Sequence, residues 1–393
     1  MRRTIRFLRT LIALLAFSTL AAAQNAPSEV EQLLDLLVAK NVLTSAEADQ
    51  FRARLKKTAT PPVSATEPAA SSQTAPPPVA ATQADPKGTS LSFKNVNISG
   101  FVQGRFTEAR GTTNTFEIRR ARLIFDGKLG DTIGYLIQIE GVKPQLLDAR
   151  LDFKPLPQFG VSIGQFKIPF STESITSDNL LPFIERSTVV NSFAPGRDNG
   201  SIGRDIGLQF SGKVLHGKNV DRLEYFVALF NGNGINVKDD NHYKDTAARV
   251  VLRPLRQLAL MANYYNGATG VQQLSKERFG AEFSFAHGPI TAAGEYIWGH
   301  DGPIHRNGWY ALTALRLSQK WEGVFRFDNF SPHQHTPTLT TVNNYVMGAN
   351  YYLNPFVKLA ANFDRQEDLF THRGSNIVLL QTQFQFGAER KRQ

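Results

Sequence analysis

Three arginines lie within four positions in the segment FEIRRARLIFDG, residues 116–127, among several large apolar residues. When side chains alternate with a period of two, Leu123 and Phe125 fall on one face of a strand. Arg120 and Arg122 then fall on the other face. Guanidinium groups keep their charge and offer parallel donors that suit tetrahedral oxyanions. The segment therefore predicts a strand with one apolar face and one aqueous, cationic face.

Short alternating segments of about ten residues fill the chain from residue 91 onward, and this is the length of a tilted membrane-spanning strand. In the last of them Leu380 and Phe384 fall on one face, whereas Gln381 and Gln383 fall on the other. Aromatic residues cluster near the segment ends, as interfacial girdles require. Sixteen segments can be counted: 97–107, 115–129, 132–141, 146–154, 159–166, 204–214, 222–231, 245–253, 257–266, 278–286, 290–299, 307–318, 321–331, 343–353, 356–366 and 376–386.

The connections between these segments alternate in length. Tight turns such as Gly130-Asp131 follow the even-numbered segments, and mostly longer polar connections follow the odd-numbered ones. Outer-membrane barrels have short periplasmic turns and long external loops, whereas a soluble sandwich has no reason to sort its connections in this way. An even number of strands also permits closure, which leaves no backbone group unpaired in lipid. The pattern predicts an all-β, transmembrane antiparallel β-barrel of about sixteen strands, with both ends in the periplasm.

The first 90 residues have three different compositions. Residues 1–23 carry a basic start, an apolar run and small residues, which predicts a signal peptide. Residues 24–57 show a helical period with a capping box at Thr44 and Glu47, which predicts a short periplasmic helical or coiled-coil segment. That segment either mediates association or tethering, or has no specific partner. Residues 58–90 contain seven prolines and no aromatic residue, which predicts a disordered linker.

Charge and cysteine content narrow the function further. The barrel region, 91–393, contains 34 Lys and Arg against 27 Asp and Glu, within a chain of formal net charge +10. A narrow positive channel with low-dielectric walls raises the local concentration of anions. The chain has no cysteine, so thiolate nucleophiles and thiolate metal sites are excluded. No local signature joins the Ser, His and acidic residues into a catalytic site, so we expect no enzyme, metal or cofactor.

Arginines that face inward by strand parity are the candidate anion ligands, because rings of Arg or Lys are the usual device of anion pores. They are Arg105, Arg120, Arg122, Arg150, Arg249, Arg316 and Arg326. Acidic residues fall on the same inward face, and they offer an alternative in which the arginines mainly form ion pairs across the wall. They are Glu140, Asp148, Asp152, Glu282, Glu295 and Asp328. Both interpretations remain open from the residues alone.

Several segments resemble the porin O/P family, the phosphate-selective porins of Gram-negative outer membranes. The segments are GFVQGRF, FEIRRARLIFDGKLG, IGQFKIPFSTE, LLPFIERS and GRDIGLQFSGKV, and the resemblance covers about residues 97–386. It implies a sixteen-stranded homotrimeric porin that conducts phosphate-like inorganic anions, with arginine rows in its lumen and the loop after the fifth strand folded inward. The partners so implied are small anions and outer-membrane lipid, without nucleic acid.

The resemblance also carries individual residues to this sequence. Arg119, Arg120 and Arg122 match the motif of the family's second strand, and Lys167 begins the inward loop, residues 167–203. Arg186 and Arg197 match arginines in the pieces FIERS and PGRDNG. A structureless connection of this length is usually functional. Two alternatives to a phosphate-selective pore are a general or weakly selective diffusion porin and a structural, tethering barrel whose lumen is plugged by this loop.

Overall fold

The computed structural model describes Asp49 and residues 96–387, apart from 110, 218–219, 270–272 and 334–340. The predicted signal peptide, linker and almost all of the predicted helical segment lie outside the described residues. The chain divides into two units, Met1–Pro86 and Lys87–Gln393. Asp49, in the first unit, is helical. No helix in the described part of the chain is long and apolar enough to cross a membrane.

Sixteen antiparallel strands form one closed barrel, in which each strand pairs with its neighbours in sequence and β1 pairs with β16. This confirms the predicted fold, and the predicted strand bounds lie within four residues of those observed. The strands are β1 Val96–Ala109, β2 Thr115–Leu129, β3 Ile133–Glu140, β4 Gln145–Leu156, β5 Phe159–Lys167, β6 Arg204–His216, β7 Asp221–Phe230, β8 Asp245–Leu255, β9 Leu258–Thr269, β10 Leu274–His287, β11 Ile290–Asp301, β12 Ile304–Arg316, β13 Trp321–Ser331, β14 Val342–Asn354, β15 Val357–Asp368 and β16 Gly374–Phe386.

The two faces of the barrel wall are the reverse of those of a soluble sheet. In β16, Leu380 and Phe384 are exposed on the outside, whereas Gln381 and Gln383 are buried on the inside. Turns of two to four residues follow the even-numbered strands and mark the periplasmic end of the barrel. Because lipid solvates the outer face and the lumen is polar, alternation of side chains alone places apolar groups outward and hydrogen-bonding groups inward.

A β-bulge in β2 explains how three arginines within four positions reach the same face. Arg120 lies opposite Gln103 and Ile118 lies opposite Gly104, so Arg119 has no partner of its own on β1. A bulge inserts one residue and re-aims the side chains that follow it. Arg119 and Arg120 consequently both face the lumen, while Ile118 on one side of the bulge remains on the outer surface. A strict period of two did not predict this break.

The connection between β5 and β6, residues 168–203 and here called the inward loop, folds into the lumen. It contains α1 (Thr172–Ile175), a 3-10 turn (Asp178–Leu180) and α2 (Thr188–Phe193). One side of α2 packs on the wall formed by β11, β12 and β13. Its buried contact set consists of Val189, Val190 and Phe193 with Ile297, Tyr310 and Phe330. Gly308 permits this approach, since a Cβ there would lie 2.7 Å from Cγ2 of Val189.

The middle of the inward loop contacts the adjoining part of the wall, formed by β14, β15 and β16. The side chain of Asn350 donates to the carbonyl of Pro182 at 2.8 Å, and Lys358 donates to the carbonyl of Leu181 at 3.1 Å. The amide of Ile184 donates to the side-chain oxygen of Asn362 at 2.8 Å. The loop leaves β5 and returns to β6, and these strands lie across the barrel from β13 and β14. It therefore crosses the lumen and narrows it.

Candidate functional site

A cavity of about 460 Å³ lies on the outer side of the inward loop, between the loop and strands β2 to β4. Five of the predicted site residues meet in this outer cavity: Arg119, Arg120, Arg122, Arg186 and Arg197. Lys143 adds a sixth cation. The lining also contains four carboxylates, Glu117, Glu140, Asp178 and Glu185. Cations therefore exceed carboxylates by two around the space that an incoming solute enters.

Asp178 of the inward loop is the centre of the buried ion pairs. Its carboxylate pairs with Arg122 and with Arg186, and Nη2 of Arg120 lies 3.5 Å away. Burial by itself would raise the pKa of Asp178, but Arg186, Arg122 and Arg120 hold this pKa well below its usual value near 3.8. The charge of Asp178 thus joins the loop to β2 and neutralises part of the arginine cluster.

Glu185 makes a second, more exposed set of ion pairs. It pairs with Arg105, with Nε of Arg119 at 3.1 Å, and more weakly with Arg120 at 3.8 Å. Burial opposes ionisation, yet the three arginines lower the pKa of Glu185 below its usual value. Arg105 is also paired with Glu117 of β2, so its guanidinium is shared between the wall and the loop.

Arg197 and Lys167 differ from the arginines that pair with Asp178 and Glu185, because no carboxylate in the described chain pairs with them. Nε of Arg197 donates to Oγ of Ser174 at 2.8 Å, and Nη2 donates to the Ser174 carbonyl at 2.9 Å. Burial, together with the neighbouring Arg186 and Arg204, lowers the pKa of Arg197 well below its usual value. Nζ of Lys167 donates to the carbonyls of Ile175 and Thr176 at 2.9 and 3.0 Å. Neutral oxygens orient both cations without cancelling their charge.

Lys167 lines a second cavity, of about 310 Å³, on the periplasmic side of the inward loop. This inner cavity also contains Arg150 and Arg249. Arg150 also lines a wider vestibule of about 930 Å³ at the periplasmic mouth, whose lining contains four cations, among them Lys154 and Lys213, and four carboxylates. Nε of Arg150 pairs with Asp152 at 3.0 Å. Cationic side chains are thus present on both sides of the constriction.

Two other predicted residues, Arg249 and Arg326, hold the inward loop in place. Nη1 of Arg249 contacts Glu282 at 2.5 Å, and Nη2 donates to Oγ1 of Thr172 at 2.6 Å. Nε of Arg326 pairs with Asp328 at 3.0 Å, and its Nη1 donates to the carbonyl of Glu185 at 2.9 Å. These donors are occupied by protein acceptors, so both residues have a structural part in the site.

Arg316 lies apart from the other predicted residues. It is exposed at the periplasmic end of β12, opposite Glu322, and it lines none of the three cavities.

Sequence reasoning missed the carboxylates that complete the site. Asp178 and Glu185 of the inward loop meet the arginines. Asp148, which was expected to face inward, pairs at 2.8 Å with the buried Arg204, which was not among the candidates. A signal for Asp178 and Glu185 was present in the sequence, because both are acidic residues in a loop that was expected to fold toward a cationic wall. Arg204, at the end of the same loop, carried no comparable signal.

A closed barrel of sixteen antiparallel strands, narrowed by a loop that folds into its lumen, defines the protein as an outer-membrane porin. The model of the family described as phosphate-selective porin O and P matches residues 95–386. The chain therefore belongs to this porin family. Among curated proteins none matches the chain.

Solved porin structures share the fold at low sequence identity. The anion-selective porin from Comamonas acidovorans is 12% identical, with a TM-score of 0.59, over 74% of this chain and 99% of its own. The outer membrane channel DcaP of Acinetobacter baumannii is 12% identical, with a TM-score of 0.55, over 74% and 97%. The trimer form of OmpT from Vibrio cholerae is 10% identical, with a TM-score of 0.52, over 74% and 99%.

Proposed function

We propose that this porin conducts small anions by passive diffusion and prefers phosphate-like oxyanions. The observation that carries the proposal concerns two cations beside the constriction, Arg197 on the outer side of the inward loop and Lys167 on the inner side, which have no carboxylate partner among the described residues. A guanidinium held by neutral oxygens keeps donors and charge for a solute, whereas one that is already ion-paired binds a solute weakly.

The distribution of charge supports movement through the pore as well as binding. Cations line the outer cavity, the inner cavity and the vestibule in turn. Conduction requires several sites of moderate affinity in sequence, because a single site of high affinity traps the ion. The carboxylates Asp178 and Glu185 lower the anion affinity of the outer cavity, because they neutralise part of its arginine charge. The family description and the anion-selective structural relative agree with this proposal.

We further propose that the protein works as a homotrimer in the outer membrane with its N-terminal segment in the periplasm. A trimeric relative with the same fold supports the first part. The start of β1 lies at the same end of the barrel as the short turns, which supports the second.

Single-channel recording in planar bilayers tests the proposed selectivity. We expect a reversal potential on the anion side in a KCl gradient and block of the chloride current by added phosphate. The variants Arg197→Gln and Lys167→Met should each weaken phosphate block about tenfold, since a hydrogen bond from a charged donor contributes about 1.5 kcal/mol or more. Their chloride conductance should change less.

Arg365→Gln is the matched control, because this arginine lies at the outer rim and lines none of the three cavities. An equal loss of phosphate block and chloride conductance in Arg197→Gln would mean that the arginine acts only through its electrostatic field and not by direct contact with phosphate. Weak selectivity without phosphate block would favour a general diffusion porin.

A plugged, structural barrel is the second candidate function. The inward loop runs from β5 and β6 to the wall of β11–β16 and is also attached to β2 through Asp178, so it covers much of the lumen. Absence of any conductance from correctly folded protein would favour this candidate over the anion pore.

A further inference from the structure

Two glutamates lie directly opposite each other on the lumen face, beneath the start of the inward loop. Glu282 of β10 and Glu295 of β11 are register partners, and both side chains are buried. Like charges in directly opposite positions destabilise a sheet. Glu282 is compensated, since it pairs with Arg249 at 2.5 Å and accepts from Nδ2 of Asn263 at 2.5 Å. Glu295 has no cationic partner among the described residues.

The hydrogen bonding of Glu295 leaves one of its oxygens unused. Oε2 accepts from Oγ of Ser171 at 2.6 Å, while Oε1 is buried and has no hydrogen-bond partner. No cation in the described chain forms an ion pair with this carboxyl group. Glu295 is only 3% exposed, so bulk water compensates it poorly. An ionised carboxylate in this position is very unfavourable, whereas the neutral acid avoids most of the cost.

The charged groups around Glu295 also favour its neutral form. Four carboxylates lie in this part of the lumen, on β10, β11, β13 and the inward loop: Glu282, Glu295, Asp328 and Glu173. Two guanidiniums face them, and both are already paired: Arg249 with Glu282, and Arg326 with Asp328 and Glu173. The neighbour of Glu295 on β12 is Tyr310, which adds no positive charge.

We propose that Glu295 carries a proton in the folded barrel, and that this neutral acid fixes the first turn of the inward loop to the wall. Ser171 is the point of attachment. Its backbone has a φ of 63°, which is unusual for a residue other than glycine and persists only where its surroundings hold it. Oγ of Ser171 donates to Glu295 and accepts from the amide of Ser174 at 3.2 Å, which starts α1. Next to it, the amide of Thr172 donates to Glu282 at 2.8 Å.

When Glu295 loses its proton to lumen water, it gains a negative charge beside those of Glu282 and Glu173. Unlike theirs, this charge is not compensated by an arginine. Repulsion then separates the two wall glutamates and weakens the contact that holds Ser171. The attachment is complete at low and neutral pH and is lost as the pH rises through the point at which Glu295 ionises. The start of the inward loop, which leads to Asp178, is released under alkaline conditions. This inference rests on the porin fold and is independent of which ion the pore prefers.

Infrared spectroscopy of the full-length protein in detergent tests the protonation directly. At neutral pH we expect the carbonyl band of a protonated carboxylic acid in the wild type, and loss of one such group in Glu295→Gln. Glu282→Gln should also lose it, because removal of the opposite carboxylate leaves Arg249 free to compensate an ionised Glu295. Glu224→Gln is the matched control, since Glu224 pairs with Arg253 at 2.8 Å in the vestibule.

Hydrogen exchange of the backbone amides from 172 to 176, corrected for intrinsic rate, tests the attachment. In the wild type we expect exchange to rise about fivefold from neutral to alkaline pH, the effect of losing about one hydrogen bond. Glu295→Gln, which cannot ionise, should show no such rise. The proposal is overturned if the acid band is unchanged in Glu295→Gln or in Glu282→Gln, or if the wild type and Glu295→Gln show the same pH dependence of exchange. A gel-mobility shift on heating confirms that each variant is folded, and no anion measurement enters either experiment.

Discussion

At the scale of single residues, Asp178 determines how the inward loop meets the arginines of β2. It pairs with Arg122 and Arg186, and Arg120 lies nearby. Removal of one member of a buried ion pair leaves an uncompensated charge and costs about 3–5 kcal/mol. The same removal frees guanidinium charge toward the outer cavity. Asp178 therefore controls both the stability of the loop and the charge that a permeating anion meets.

We predict that Asp178→Asn increases the preference for anions and lowers the stability of the barrel. The reversal potential in a KCl gradient measures the first effect, and the temperature of the gel-mobility shift measures the second. Asp239→Asn is the control, because Asp239 pairs with Lys244 in the connection between β7 and β8, at the outer end of the barrel. A decrease in anion preference in Asp178→Asn would contradict the prediction.

The pH dependence of this cluster follows from the depressed pKa of Asp178, which Arg186, Arg122 and Arg120 lower against the effect of burial. A carboxyl whose pKa is lower in the folded protein stabilises the fold above the unfolded pKa, and this contribution disappears as the pH falls through the folded value. We therefore expect the contribution of Asp178, measured as the difference in reversal potential between the wild type and Asp178→Asn, to remain constant from about pH 7 to about pH 4, close to the ordinary carboxyl value. A change in this difference within that range would show that the ion pairs of Asp178 are weaker than the geometry indicates.

At the scale of elements, the bulge in β2 sets which side chains enter the lumen. Arg119 is the inserted residue, so the alternation of side chains changes phase between it and Arg120. On its N-terminal side Phe116 and Ile118 face outward, and on its C-terminal side Leu123 does. The strand therefore presents three arginines to water while Phe116, Ile118 and Leu123 still face outward.

Two single-residue deletions test the bulge. Deletion of either Arg119 or Arg120, which gives the same sequence, should restore regular alternation and yield a barrel that folds with one cation fewer. Deletion of Ala121 should instead turn an arginine toward lipid, which costs about 2–4 kcal/mol near the membrane midplane. Assembly yield and the temperature of the gel-mobility shift measure both variants. Equal behaviour of the two deletions would show that the bulge does not set the phase of the strand.

At the scale of the whole molecule, the barrel is a low-dielectric wall around a lumen in which the cavities on both sides of the inward loop have more basic than acidic groups. Such a wall focuses the field along the pore and raises the concentration of counter-ions inside it. Groups in the wide vestibule are screened by salt, whereas half-buried groups at the inward loop, such as Arg197, are screened less.

We predict that salt separates these two contributions. The permeability ratio of anions to cations should fall as KCl rises from about 0.01 M to about 1 M, because the Debye length shrinks from about 30 Å to about 3 Å. The concentration of phosphate needed for half block should change less over the same range. Reversal potentials and block curves recorded at each salt concentration provide both quantities. A permeability ratio that does not depend on salt would mean that direct contacts alone determine the selectivity.

The sequence alone determined the barrel. Strand number and strand bounds, with the outward face of residues such as Leu380 and Phe384, follow from a local period of two and from the lengths of the connections. This works because lipid acts as a uniform solvent for the outer face, so each strand reports its orientation without reference to distant residues. The sequence also indicated which arginines belong to the lumen wall.

Only the tertiary structure decided which of those arginines remain available to a solute. The path of the inward loop brings Asp178 to Arg122, 56 positions away, and Ser171 to Glu295, 124 positions away. Arg249 and Arg326 face the lumen as predicted, yet loop and wall acceptors occupy their donors, whereas Arg197 and Lys167 meet only neutral oxygens. Ion pairing depends on distances between groups that are remote in sequence, and a local side-chain pattern contains no information about those distances.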